Sequence, residues 1–555
     1  MPPLQKPVTF SGMERCLVLG LVLVALGFNG VYGVTDSQDA AVVLSLKKSW
    51  RNVPPSWENS SDPCGEGWEG ISCTETRITS LRLSSIRLSG IISPDIEGLS
   101  ELQSLDLSFN TNLTGTLPPS IGNLKNLKTL ILAGCSFIGS IPEELGNLSD
   151  LTILVLGSNY FNGEIPSSLG KLSKLYWLDL ADNRLTGSIP VSPGLDQLLH
   201  AKHFFLNKNR LSGTVPPELF SSDMVLLHLL LGDNQLTGTI PPTLGQVKTL
   251  SVLRLNNNLL TGPAPSLNYH TQMNELNLAN NHLTGPVPDL TGMDSLYYVD
   301  MSNNSFDSSE APTWFSNLIS LTALVFEGGS FTGPIPEGLF SAPQLQLVKL
   351  GNNSFNGTLD MGNSISSSLE LVDLQFNNIS SLSSAYNYTL LLYGNPICSH
   401  APNLRFCQQQ PKKPYSTSLS ECGNKTCPSD QKLNPQSCNC AYPYEGNFIF
   451  RAPVFQDLSN STAFQSLEKS LWTQLNLTTG SVSLQNPYFN NDDYLRVETG
   501  LFPSQGMYFD QSEVQRIGFA LASHTFKPPT EFGPYYFIPS SYNFTAYQKL
   551  PGIIR

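Results

Sequence analysis

An α/β repeat solenoid closed by disulfides at both ends, followed by a small α+β domain, is the architecture this sequence predicts. Three observations predict it. A leucine-bearing segment returns every 23 to 26 residues through the first two-thirds of the chain. Cysteine pairs with matched spacing flank that region, and from Tyr442 the repeat gives way to aromatic strand and helix patterns. At 555 residues the chain exceeds the ~100–200 of one ordinary domain, as a repeat architecture allows.

Residues 1–33 read as a secretory signal. Lys6 and Arg15 are positive, the run from Cys16 to Phe28 is apolar, and Val31, Tyr32 and Gly33 lead to a cleavage point. Thirteen apolar residues are too few to span a bilayer, and no other stretch reaches the ~20 needed. Export fits the composition: charged residues are only 14%, and the formal net charge of -13 with no Lys/Arg cluster excludes a nucleic-acid partner. Twelve Asn-x-Ser/Thr sequons predict a glycosylated surface: Asn59, Asn112, Asn147, Asn303, Asn352, Asn356, Asn378, Asn387, Asn424, Asn460, Asn476 and Asn543.

Residues 34–77 form the expected N-terminal cap, a helix over DSQDAAVVLSLKKSW with Asp36 or Ser37 as N-cap, then Cys64 and Cys73. Residues 78–397 carry about thirteen repeats. The position after LxLxx is Ile86, Asn110, Cys135, Asn159, Asn183, Asn209, Asn234, Asn258, Asn281, Asn304, Gly329, Asn353 and Asn377. This is the leucine-rich repeat, in which each unit lays down one short strand and stacking buries a core no unit buries alone. The Asn amide is expected to satisfy backbone groups where the chain leaves the strand. Cys135 occupies that register, so its role reads as structural.

The variants LTGTLP, LTGSIP, LSGTVP and LTGTIP add a Gly turn and a Pro that cannot donate to a ladder, giving a second irregular strand and a 3₁₀-like back. They mark the plant-type repeat. A C-terminal cap at 398–407 holds Cys398 and Cys407, again with eight residues between them. In an oxidising compartment each cap pair is expected to form a structural disulfide.

Residues 408–440 form a polar, cysteine-rich linker, and 441–555 a membrane-proximal α+β domain. Strands are predicted near Phe448–Pro453, Ser481–Gln485, Tyr494–Phe502 and Tyr535–Ile538, with helices over Ser461–Leu475 and Ser512–Ala522. The order βαββαβ suggests a ferredoxin-like domain.

The plant-type repeats, both caps, and the phrases FRAPVFQDLSNSTAFQSLEKSL, GSVSLQNPYFNNDDYL and EFGPYYFIP resemble the plant leucine-rich repeat receptor-like kinases. The phrases point to a subgroup often called subfamily VIII, which includes receptors for extracellular hydrogen peroxide and quinones. The resemblance implies an extracellular sensing portion whose partners are a co-receptor kinase ectodomain and a peptide or small oxidant ligand. It places the chain at the outer face of the plasma membrane, or in the apoplast as a soluble form. The family's transmembrane and serine/threonine kinase parts are absent from the 555 residues, so the chain is expected not to be an enzyme. Enzyme motifs agree: there is no GxSxG, HExxH or phosphate loop, and no cofactor is expected. The alternative is a secreted repeat protein that binds a peptide or inhibits a cell-wall enzyme.

Two candidate sites emerge. Cys422, Cys427, Cys438 and Cys440 crowd into nineteen residues. A zinc site departs from the usual paired spacings, a disulfide staple is the structural alternative, and a redox switch is the third. Direct closure between Cys438 and Cys440 would strain a very small ring, whereas separate pairing with Cys422 and Cys427 relieves it. In the peroxide-sensing relatives cysteines of this region are implicated in sensing, which the resemblance carries to these four. The second candidate is a concave patch built from positions beside the inward leucines: Trp177, Asp179, His203, Phe205, His228, Leu230 and Arg254. No metal site is expected there, since His200 and His203 have no third ligand.

Overall fold

The computed structural model describes residues 35–540 and 542, except 60, 66, 384–388, 401–403, 408–413, 420–421, 424, 426, 429–430, 452–457 and 491–493. The segment read as a secretory signal lies outside the described residues, as do the sequons at Asn387, Asn424 and Asn543.

Helix α1 (Ser37–Ser49) opens the cap. Asp36 accepts the amides of Gln38 and Asp39, satisfying donors that the first turn leaves free. Its inner face holds Val42, Val43 and Leu46 against the first repeats. Asp39 is fully buried and accepts two guanidinium bonds from Arg77, at 3.0 and 2.9 Å, plus the Ile78 amide, so helix and first repeat strand are locked together.

Fifteen short strands then stack into one continuous sheet from Ile71 to Leu391, parallel after an antiparallel first pair. Three-residue strands such as Trp177–Asp179 turn the middle residue inward and the outer two to the concave side. Leu178 is accordingly fully buried in a core that runs unbroken from Val42 to Leu392. The back of many repeats is a 3₁₀ turn, as at Pro119–Asn123 and Ser167–Lys171, and the LTGxIP segments form irregular flanking strands. Gly163 within one of them sits at φ 75°, a left-handed conformation costly for residues with a Cβ.

Asparagine rungs supply the polar complement. The Asn159 amide donates to the carbonyls of Leu132 (2.9 Å) and Leu156 (3.0 Å) and accepts the Phe137 amide (3.1 Å), joining adjacent repeats. Cys135 stands at the same register, its thiol 3.3 Å from the Leu107 carbonyl, with burial pushing its pKa up to about 12. Disulfides Cys64–Cys73 and Cys398–Cys407 join the cysteines of the two ends.

The C-terminal module has its own core. Strand β1 (Tyr444–Phe450) is followed by helix α2 (Ser461–Gln474), strands β2 (Val482–Phe489) and β3 (Leu495–Leu501), helix α3 (Gln511–Ala522) and strand β4 (Tyr535–Pro539). The strands lie in the order β2-β3-β1-β4, each antiparallel to its neighbours. Phe464, Leu467 and Leu471 of α2 and Val514, Ile517 and Leu521 of α3 pack on Phe448, Phe450 and Val497 of the sheet. A capping box between Asp510 and Glu513 starts α3. Strand β1 begins earlier than its apolar run indicates, because Glu445 and Asn447 face away from the core yet pair with β3, Asn447 with β4 as well. Among the described residues no helix is long and apolar enough to cross a membrane.

Candidate functional site: the concave face and the module seated on it

The concave strands of the early and middle repeats present large side chains where the solenoid has no core to receive them. Trp177, Asp179, His203, Phe205, Leu230 and Arg254 are nevertheless all buried, Phe205 completely, and His228 is half-buried. The C-terminal module covers them. Sequence reasoning offered this patch as a candidate binding surface, and in the structure the C-terminal module packs over it.

Contact begins at the N-terminal end. Gln515 of α3 donates to Glu69 at 2.8 Å, and the Arg82 guanidinium lies 4.2 Å from the centre of the Phe519 ring. Burial, with Asp510 adding repulsion, pushes the Glu69 carboxyl up to about 7. Phe519 and Ala522 enter an apolar cluster with Phe109, Ile131, Val155, Trp177, Phe205 and Leu230.

Beyond α3, His524 stacks on Trp177 with ring centres 4.6 Å apart, and Trp177 lies 4.0 Å from His203. His203 and His228 approach Nδ1 to Nδ1 at 3.1 Å, which fits one neutral donor and one neutral acceptor. Burial chiefly lowers all three imidazoles, His203 to about 2, His524 to about 3 and His228 to about 4.

Arg451, at the end of β1, is the central anchor. It is 1% exposed, its guanidinium reaches Asp179 at 3.7 Å, and it lies over the rings of Phe205 and Tyr536. Its carbonyl accepts from the Arg254 guanidinium, which is ion-paired with buried Glu275. Burial pushes the Asp179 carboxyl upward, and Arg451 offsets part of that. At the neighbouring contact the Tyr494 hydroxyl accepts from Asn207 and donates to Asp233, both at 2.9 Å.

Sequence reasoning missed Arg451, Tyr494, Phe519 and His524, the module's half of this contact. Only Arg451 carried a signal, as a charge closing the apolar run FIF.

The four linker cysteines are brought together as two interleaved disulfides, Cys422–Cys438 and Cys427–Cys440, all four half-buried. The free thiol among the described residues is buried Cys135, whose raised pKa suppresses the thiolate that oxidants need. No group of three or more His, Cys, Asp or Glu among the described residues is arranged to hold a metal. Of the described sequons, Asn112, Asn147, Asn303, Asn352, Asn356, Asn378 and Asn476 are exposed. Asn460 differs: it is buried and caps α2 by accepting the Ala463 amide at 2.9 Å.

Residues 36–74 match the leucine rich repeat N-terminal domain, and 101–124, 126–148, 150–172, 174–194, 225–247 and 295–318 match the Leucine Rich Repeat family. A probable leucine-rich repeat receptor-like protein kinase of Arabidopsis thaliana is 43% identical over 538 residues, covering 94% of this chain and 56% of that protein. The ectodomain of the Arabidopsis thaliana membrane receptor kinase GASSHO1/SCHENGEN3, solved in complex with CASPARIAN STRIP INTEGRITY FACTOR 2, aligns with a TM-score of 0.53 and 29% identity. That alignment covers 64% of this chain and 50% of the other. A TDR receptor aligns with a TM-score of 0.52 and 31% identity, covering 57% and 55%. The chain thus spans about half the length of the relatives it matches.

Proposed function

On the footing that this chain is related over 94% of its length to a plant leucine-rich repeat receptor-like kinase, we propose that it is the extracellular, ligand-recognising portion of such a receptor. The carrying observation is that the likeness includes the C-terminal module as well as the repeats, while the module is seated on the concave face through Arg451, Tyr494 and His524. Recognition then belongs to a composite surface of solenoid and module, facing a ligand and a co-receptor ectodomain. The strand order β2-β3-β1-β4 supports reading the module as ferredoxin-like.

The chain expressed from its first Met in plant cells tests this. Delivery to the secretory pathway, with a mass shift removed by endoglycosidase, is expected; a cytosolic, unglycosylated product would refute it. The encoding transcript separates receptor from soluble inhibitor. An apolar segment of ~20 residues beyond Arg555 supports the receptor, and a stop codon there supports the secreted alternative.

A second reading, oxidant sensing at Cys422, Cys427, Cys438 and Cys440, is favoured by the interleaving of the two disulfides, which leaves the exchange partners Cys438 and Cys440 separated only by Asn439. Peroxide would act on the reduced form: two thiols lose two electrons and two protons to give a disulfide and two waters. Differential alkylation before and after mild reduction decides it. Selective opening of these two pairs, with the cap pairs intact, supports sensing; resistance equal to that of the caps assigns a structural staple.

A further inference from the structure

Beyond the module's main footprint, the later repeats and the module's edge enclose a cleft of about 800 Å³. Its solenoid wall is periodic. Tyr297, Thr322, Gln346 and Glu370 come one from each successive repeat, and the amides of Thr322, Gln346 and Glu370 donate to the preceding rung's carbonyl at 2.8, 2.9 and 2.9 Å. Polar groups are therefore set out at the ~4.8 Å spacing of neighbouring strands. Gln344 lies beside this row, and neither its amide nor that of Gln346 makes a side-chain hydrogen bond among the described residues. Thr462, Thr530 and Glu531 face them from the module.

The lining decides the ligand class. Among the described residues the lining contains no Lys, Arg or His, and the Glu531 carboxylate on the module side disfavours an anionic ligand. Tyr297, Leu369 and Ala463 are its apolar contributors, too few to seat the buried anchors on which peptide recognition depends. Hydroxyls, amides and carboxylates instead match a ligand that offers many donors and acceptors and no charge, with the Tyr297 ring as a flat apolar platform. The volume falls within the ~300–1,000 Å³ of small-ligand sites.

We propose that this cleft binds a short neutral oligosaccharide, its sugar units following the polar rungs from Tyr297 towards Glu370. This rests on the ligand-recognising reading above and names the ligand class at the solenoid–module junction.

The test is calorimetric titration of the intact glycoprotein with short neutral β-linked gluco-, manno- and xylo-oligosaccharides, at low and high salt. At least one series is expected to bind with Kd below about 1 mM. Its affinity should be insensitive to salt, and Gln344→Ala with Gln346→Ala should weaken it about tenfold or more. Should that pair lower the melting temperature, Glu531→Gln on the module side provides the same test without touching the repeats. Three results would overturn the proposal: no binding by any series at 1 mM or so, unchanged affinity in the folded variants, or binding only by an oligolysine probe that salt abolishes. Each bears on the cleft alone, since a failure of the receptor reading appears in the transcript and the secretion assay.

Discussion

Arg451 shows how much of the structure one side chain settles. It carries its charge into a site 1% exposed, where Asp179 is the opposite charge and the rings of Phe205 and Tyr536 cover its faces. Burying a guanidinium costs several kcal/mol unless a partner is buried with it, and removing one partner strands the other. Arg451→Ala should therefore cost about 3–5 kcal/mol by leaving Asp179 uncompensated, a loss measurable by denaturant unfolding. Arg451→Ala combined with Asp179→Ala should recover part of it, and additive losses would show that the pair is not coupled. By contrast, the repeat asparagines were legible from sequence, because a polar residue recurring at one register among leucines must satisfy repeated backbone groups.

At the scale of elements, the contact between α3 with its following turn and the central concave strands is built to depend on pH. His524 on the module stacks on Trp177, which packs on His203 of the solenoid, and the charges facing His203, His228 and His524 are Lys202, Lys527 and Arg451. Folded values near 2, 3 and 4 lie below the ordinary 6.5, so the unfolded or undocked state takes up protons first as pH falls. The docking contribution is full above about 6.5 and is lost progressively below it, by up to about 1.4 kcal/mol per pH unit for each imidazole. Glu69 acts oppositely: its value near 7, above the ordinary 4.5, favours the folded state at low pH and loses that contribution as pH rises through 7. Three imidazoles outweigh one partly solvated carboxyl. Melting temperature should fall between pH 6.5 and 4, and His203→Gln with His228→Gln should flatten the decline; an unchanged slope would refute this role.

For the whole molecule, the solenoid and module complete each other. Without the module, Trp177, Phe205, Leu230 and Phe109 would form a contiguous exposed apolar surface, of the kind that drives association. A chain ending at the C-terminal cap, residues 35–407, should self-associate with increasing concentration in light scattering, while the full chain remains monomeric under the same conditions. A monodisperse truncated chain would show that the concave face tolerates water. The same coupling leaves the cleft from Tyr297 to Glu370, between the later repeats and the module edge, open on the concave side.

The sequence by itself determined the repeat, its inward leucines, the asparagine rungs, the cap cysteines and the order of strands and helices after Tyr442. These are local or periodic: a 23- to 26-residue recurrence and alternating apolar residues leave their mark within a short window. It also singled out Trp177, Asp179, His203, Phe205, His228, Leu230 and Arg254 as side chains lacking a core. What covers them was decided only in three dimensions. Tyr494 meets Asn207 across 287 residues of sequence and Gln515 meets Glu69 across 446, and no periodicity links such positions. The pairing of Cys422 with Cys438 and of Cys427 with Cys440 was likewise settled by folding, because four cysteines admit three connectivities and only chain geometry chooses between them.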